Sequence, residues 1–294
     1  MRVLVTGREG QIVRSLLERG AGVPGIQIVA MGRPELDLEA PASAARAVRA
    51  AAPDVVINAA AYTAVDLAED EPERAMRING GAAGELAAAT RNVGAAIVQI
   101  STDYVFDGSG EGHYREDAAT APLGAYGRSK LAGEEQVRRE NPDHVILRTA
   151  WVYSPFGQNF VKTMMRVAQS RDMVTVVEDQ QGNPTCALDL ADGLLAMLEQ
   201  WRLGERTGLG SVYHLAVTGS TSWFGFAEAI FEECSALGLP AAEARPIRTE
   251  DWPTKAVRPA NSRLDSTHFT ADFGFRMPHW RQSLKEVVRR LGAS

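Results

Sequence analysis

The chain has little cysteine and little lysine, and it has no long hydrophobic run. Cys186 and Cys234 are its only cysteines among 294 residues, and they are far apart and outside any CxxC pair. Neither a disulfide framework nor a zinc site can be built from them. No HExxH or P-loop occurs, and His113, His144, His214, His268 and His279 stand at no metal-ligand spacing, so no metal is expected. The Ala-rich stretch over residues 82–89 is broken by Glu85 and falls well short of the roughly 20 residues that span a bilayer. Met1 and Arg2 lead directly into an apolar run, with no room for a secretory leader. The expectation is a cytoplasmic protein with no membrane partner. Positive charge is not in excess either: 31 basic residues face 37 acidic ones, a net of −6, and no basic face forms. This argues against nucleic acid as a partner.

What is present is ordinary globular usage, 45% hydrophobic and 23% charged. The length suits two domains, or one large α/β unit with an elaborated half. Short apolar runs at residues 3–6, 26–31, 55–58, 96–101 and 144–148 are mostly continuous rather than alternating, as in parallel strands buried on both faces. Helical patterns over 12–19, 42–52, 73–93 and 126–140 separate them. This rhythm predicts an α/β fold with a Rossmann-type doubly wound parallel sheet, its ligand site beyond the carboxyl ends of the strands. Residues 1–150, completed by parts of 186–217, read as a dinucleotide-binding domain. Residues 151–185 and 218–294 read as a smaller, mainly helical substrate lobe.

The opening VLVTGREGQIV sets Gly7 and Gly10 between the first strand and the first helix. Glycines there let the backbone approach a pyrophosphate, which rests on free N–H groups at the positive end of the helix dipole. Val13 stands where a small third residue normally allows close helix packing, so the helix is expected to shift outward or to find room against small neighbours. After the second strand come Gly32 and Arg33 rather than an acidic residue. The small residue leaves space for a 2′-phosphate that the guanidinium can bind twice, which favours NADPH while leaving NADH possible.

The most specific chemistry lies in STDYVFDG (101–108) and AYGRSK (125–130). Thr102 ends the fourth strand, and Tyr126 and Lys130 are four apart, on one helix face. An ammonium beside a phenol in a partly desolvated cleft makes the Tyr a general acid or base near neutrality. Six tyrosines and four lysines in this length give roughly 0.08 such pairs by chance.

These motifs, with NAAAYTAVDLAEDEPERAMRIN (58–79), RTAWVY (148–153), GQNFVKTM (157–164), DQQGNPT (179–185) and RPANSRL (258–264), resemble the dTDP-4-dehydrorhamnose reductase family of extended short-chain dehydrogenase/reductases over nearly the whole chain. The resemblance implies hydride transfer from a reduced nicotinamide to the C4 ketone of dTDP-4-dehydrorhamnose, giving dTDP-L-rhamnose. It implies that Tyr126 protonates the new alkoxide, Lys130 binds the nicotinamide ribose and lowers the Tyr pKa, and Thr102 orients the ketone. It further implies that Gly10, Gln11 and Ile12 meet the pyrophosphate, that Asp37 and Leu38 flank the adenine, and that Ala61, Tyr62 and Thr63 border the cofactor. Asp103 and Trp151, together with Asp66, match positions that touch the deoxysugar. Arg258 is expected to neutralise the diphosphate. Family members are described as binding Mg2+ through carboxylates near a dimer contact, one of them in the first helix. Ser15 stands there in this chain, which argues against a metal assembled that way. Lys255 replaces a family proline in WPTKAVRP. A monomer or a homodimer is expected. Two alternatives stay open: a nucleotide-sugar epimerase or dehydratase with tightly held NAD, and a non-catalytic, reductase-like regulatory subunit.

Overall fold

The computed structural model describes residues 1–293. The first half alternates strand and helix: β1 (Arg2–Thr6), α1 (Gln11–Gly20), β2 (Gln27–Met31), α2 (Ser43–Ala51), β3 (Val55–Asn58), α3 (Pro72–Met76), α4 (Ala82–Asn92), β4 (Ala96–Thr102), α5 (Ala125–Glu140) and β5 (His144–Thr149). The continuous apolar runs become strands because both faces are covered. Every residue of β3, β4 and β5 is buried. The chain then gives α6 (Phe160–Val167), β6 (Met173–Val177), β7 (Gln181–Gly182), α7 (Ala187–Arg202) and β8 (Ser211–His214). It ends with β9 (Thr221–Ser222), α8 (Trp223–Ala236), β10 (Glu243–Ile247), β11 (Asn261–Ser262), α9 (Thr267–Phe273) and α10 (Trp280–Gly292).

The main sheet is all parallel in the order β2-β1-β3-β4-β5-β8. The winding direction reverses between β1 and β3, which opens a crevice beyond their carboxyl ends. A buried polar chain ties that edge together. Thr6 Oγ1 donates to Asn58 Oδ1 at 2.8 Å, and Asn58 Nδ2 donates to Gln99 Oε1 at 2.8 Å, linking β1, β3 and β4. Thr6 Oγ1 also accepts the Ala60 N–H at 2.9 Å and so fixes the loop after β3.

One sequence expectation needs correction. The helical pattern over 73–93 is not one helix: a π turn at Arg77–Gly81 separates α3 from α4. Asn79 within it exchanges hydrogen bonds with the Tyr62 backbone and donates to Ser129 Oγ at 2.9 Å, partners that 3.6-residue periodicity does not reveal. The C-terminal lobe is mainly helical, as expected, with α6, α8, α9 and α10. It also carries a parallel β6–β10 pair and a small β11-β7-β9 sheet, whose two-residue strands are too short to show a period. One hydrophobic core runs from Val5 and Leu16 through Tyr153 to Phe226 and Leu284, so the two halves share an interior. No helix among the described residues is long and apolar enough to cross a membrane.

Candidate active site

At the β1–α1 turn Gly7 adopts φ +100°, a conformation that side-chain-bearing residues rarely adopt. Gly10 caps α1 with no side-chain hydrogen bond, leaving the first helical N–H groups available to an anion. Val13 is fully buried, and its Cγ2 lies 3.4 Å from where a Gly7 Cβ would stand. The valine thus fills the room beneath the two glycines, which settles the expectation that it either displaces α1 or finds small neighbours.

Two cavities meet at this turn. One, of about 600 Å³, is lined by Arg33, Asp37, Leu38, Ala61 and Tyr62 and borders Gly32. Arg8 at its rim pairs with Glu35 at 2.6 Å, and Arg74 pairs with Glu39 at 2.8 Å. The other, of about 710 Å³, runs from Gly7, Gly10, Gln11 and Ile12 past Thr63 to Thr102, Asp103, Tyr126, Lys130, Trp151 and Arg258. Of the catalytic, cofactor-binding and substrate-binding residues expected from sequence, only Asp66 lines neither cavity.

Thr102, Asp103 and Lys130 are buried on the cleft floor, and Tyr126 is half-buried beside them. Thr102 Oγ1 donates to Asp103 Oδ1 at 2.9 Å. Burial, and then the neighbouring Asp103 charge, push the Tyr126 phenol well above its ordinary range, while hydrogen bonding with Thr102 draws it down. The phenol is therefore protonated at neutral pH. Lys130 Nζ donates to the Ile100 carbonyl at 2.6 Å. Its ammonium is pushed down to about 8 by burial, which Glu134 opposes. The downward pull on Tyr126 expected of Lys130 is not seen; Thr102 supplies the one that is. Burial raises Asp103 to about 6 against the pull of the Ser262 and Thr102 hydroxyls.

Trp151 follows β5 in a left-handed conformation, φ 49°, a strained backbone held by its surroundings. Its indole stacks on Trp223, ring centroids 3.6 Å apart and planes 9° from parallel. Gly182 leaves the space for this stack, since a Cβ there would come within 2.4 Å of the Trp151 ring. Asp66 lies at the cleft mouth, where its Oδ2 accepts from Arg258 Nη2 at 2.7 Å. Arg258 Nη1 also reaches the Tyr104 hydroxyl at 3.4 Å. Lys255, the departure from the family proline, pairs with Asp70, so this loop too is tied to the first half of the chain. Trp223 and Tyr104 escaped the sequence reading. Tyr104 sits inside a motif read only for Thr102 and Asp103, and nothing local marks the indole of a helix-opening Trp as a cleft wall. Ser15 is fully buried and offers no outward ligand, and no group of three or more His, Cys, Asp or Glu among the described residues is arranged to hold a metal ion.

The model of the RmlD substrate binding domain matches residues 1–293. A dTDP-4-dehydrorhamnose reductase of Sinorhizobium fredii is 41% identical over 98% of this chain and 97% of its own length. One of Burkholderia thailandensis is 44% identical over 99% of both chains. Among solved structures, the Bacillus anthracis dTDP-4-dehydrorhamnose reductase in complex with NADP superposes with a TM-score of 0.89 at 36% identity, over 98% of this chain and 99% of that one. A Streptomyces venezuelae dTDP-glucose 4,6-dehydratase with NAD bound, at a TM-score of 0.80 but 18% identity over 100% of this chain and 98% of that one, shares the fold alone. The chain belongs to the RmlD substrate-binding-domain family, that is, to the dTDP-4-dehydrorhamnose reductases, oxidoreductases of the short-chain dehydrogenase/reductase fold.

Proposed function

We propose that this chain reduces the C4 ketone of dTDP-4-dehydrorhamnose to the alcohol of dTDP-L-rhamnose, with NADPH as the preferred reductant and Tyr126 as the proton donor. The observation that carries the reading is the convergence of Thr102, Tyr126 and Lys130 on the floor of a cleft that begins at an uncapped, glycine-lined helix N-terminus. Gly7, Gly10, Gln11 and Ile12 would hold the pyrophosphate, and Asp37, Leu38, Ala61, Tyr62 and Thr63 the adenosine side, with Arg33 at the 2′-phosphate. When bound, the cofactor supplies the hydride.

The chain's own residues do the rest. A ketone that gains a hydride leaves an alkoxide, and a phenol kept protonated by burial delivers the missing proton to that oxygen. Thr102, which lines the cleft with Tyr126, lines up the acceptor with the acid. The Lys130 ammonium is available for the ribose hydroxyls and for restoring charge balance beside the phenolate. Trp151 and Trp223 offer an apolar wall to the sugar C–H face, Asp103 an acceptor to its hydroxyls, and Arg258 a bidentate donor to the diphosphate. Residues 1–150 with 186–217 would form the cofactor half, since β8 extends the main sheet beside β5 and α7 packs on α1. Residues 151–185 and 218–294 would form the substrate half. The cytoplasm is the compartment proposed.

The test is NADPH oxidation by the purified protein with enzymatically generated dTDP-4-dehydrorhamnose. Wild type should turn over, and Tyr126→Phe should lose on the order of 10²–10⁴ in kcat while still binding cofactor. Wild type without turnover, or Tyr126→Phe with undiminished turnover, would refute the assignment.

A further inference from the structure

The charges least expected in this interior are Glu134 and Arg148. Both side chains are essentially inaccessible, and they form a bidentate ion pair, Arg148 Nε to Glu134 Oε1 at 2.9 Å and Nη2 to Oε2 at 2.8 Å. A buried pair of this kind adds little to stability compared with apolar residues of the same volume, because two ions must be stripped of water. Its location is more informative. Glu134 lies one helical turn beyond Lys130, which lies one turn beyond Tyr126, so the three share a stripe of α5. Two consecutive residues of β4 engage that stripe: the Ile100 carbonyl accepts from Lys130 Nζ, and Ser101 Oγ donates to Glu134 Oε1 at 2.6 Å; the next residue, Thr102, lines the cleft with Tyr126. Arg148 reaches the same carboxylate from β5, where it lies opposite Ser101 in register.

We propose that Glu134, locked by Ser101 and Arg148, is a positioning residue for Lys130: it pins α5 to β4 and β5 one turn behind the ammonium and supplies the counter-charge on that side of it. The proposal rests on the reductase reading only for its catalytic consequence. The groups facing Lys130 are few. The Ile100 carbonyl of β4 accepts from its Nζ, Tyr126, Thr102 and Asp103 line the same cleft, and Glu134 follows one turn on along its own helix, where Arg138 also reaches the carboxylate at 3.5 Å. Glu134 is the charge that opposes the burial pushing Lys130 down. Without that carboxylate the ammonium gives up its proton at still lower pH.

The chain has four lysines, so Lys130 can be followed directly by NMR of protein labelled at the lysine side chains, with Lys130→Arg for assignment. In wild type Lys130 should titrate near pH 8. In Glu134→Gln, which keeps the shape and an acceptor oxygen, the midpoint should fall by about one pH unit. Glu134→Asp should restore most of it, and Ser101→Ala, which keeps the charge, should leave it near wild type. Glu134→Gln leaves Arg148 buried without its counter-charge, so the double variant Glu134→Gln/Arg148→Met serves if the single one does not fold, with the same fall expected. In the NADPH assay the alkaline limb of kcat/KM should move with the NMR midpoint. An unmoved Lys130 midpoint in the folded single or double variant overturns the proposal, whatever the turnover. The reductase reading stands or falls separately, on wild-type and Tyr126→Phe activity.

Discussion

Asp66 and Arg258 close an ion pair of 2.7 Å across the mouth of the cleft, joining the loop after β3 to the segment before β11. Both side chains are partly exposed, so the pair itself is worth little, about 0–1 kcal/mol. Its consequence is positional: it holds the guanidinium where a diphosphate entering the cleft would meet it. Arg258→Ala should therefore raise the KM for the nucleotide sugar by about tenfold, leave the KM for NADPH unchanged, and hardly alter the melting temperature. Equal effects on both Michaelis constants would remove Arg258 from the substrate side.

Arg33 makes a different prediction, on the cofactor. It lines the cavity beside Gly32, Asp37 and Leu38, and no acidic residue takes the ribose position directly after β2. Arg33→Ala should raise the KM for NADPH about tenfold and leave that for NADH within about twofold, since only the first carries the phosphate. Parallel initial-rate series with the two cofactors check this. Equal losses with both would mean that Arg33 serves the loop rather than the phosphate.

The close approach of α5 to the π turn supplies a stability prediction. A Cβ at Gly133 would stand 2.1 Å from the Asn79 carbonyl oxygen, a backbone atom that cannot swing aside. Gly133→Ala should cost about 1–3 kcal/mol by overpacking, although alanine is the better helix former. Because α5 carries Tyr126 and Lys130, kcat should fall as well. Urea unfolding of both proteins measures the first effect, and a neutral or stabilising result would contradict so close a contact.

The sequence was most legible where a residue's neighbours follow from its position in the chain. Strands buried on both faces appear as uninterrupted apolar runs, so β1, β3, β4 and β5 were predicted to within a residue or so. Tyr126 and Lys130 were readable because one helix sets their spacing, and Thr102 because strand ends of such sheets gather ligands. What stayed hidden depends on distant partners. The π turn exists because Asn79 bonds to Tyr62 and Ser129, and Trp223 becomes a cleft wall only when α8 carries it against Trp151. Val13 looked like a defect of the glycine turn until the space left by the bare Gly7 backbone was visible beside it.

Asp103 gives this site a pH-dependent contribution to stability. Burial raises its carboxyl from 3.8 to about 6, and its Oδ2 is among the buried oxygens without a hydrogen-bond partner. A folded-state value above the unfolded one means that the native protein holds the proton more tightly. The stability it contributes is therefore fully present below pH 3.8 and is lost as pH rises through about 6. A displacement of this size corresponds to roughly 3 kcal/mol at 1.36 per pH unit. Asp103→Asn keeps an oxygen for the Thr102 hydroxyl but never ionises. It should be more stable than wild type at pH 8 by about 1–3 kcal/mol and lose most of that advantage at pH 4. The buried Asp189, also raised to about 6, is present in both proteins and cancels in the comparison. Urea midpoints at the two pH values decide it: an advantage of equal size at both would assign the gain to packing rather than to a buried charge.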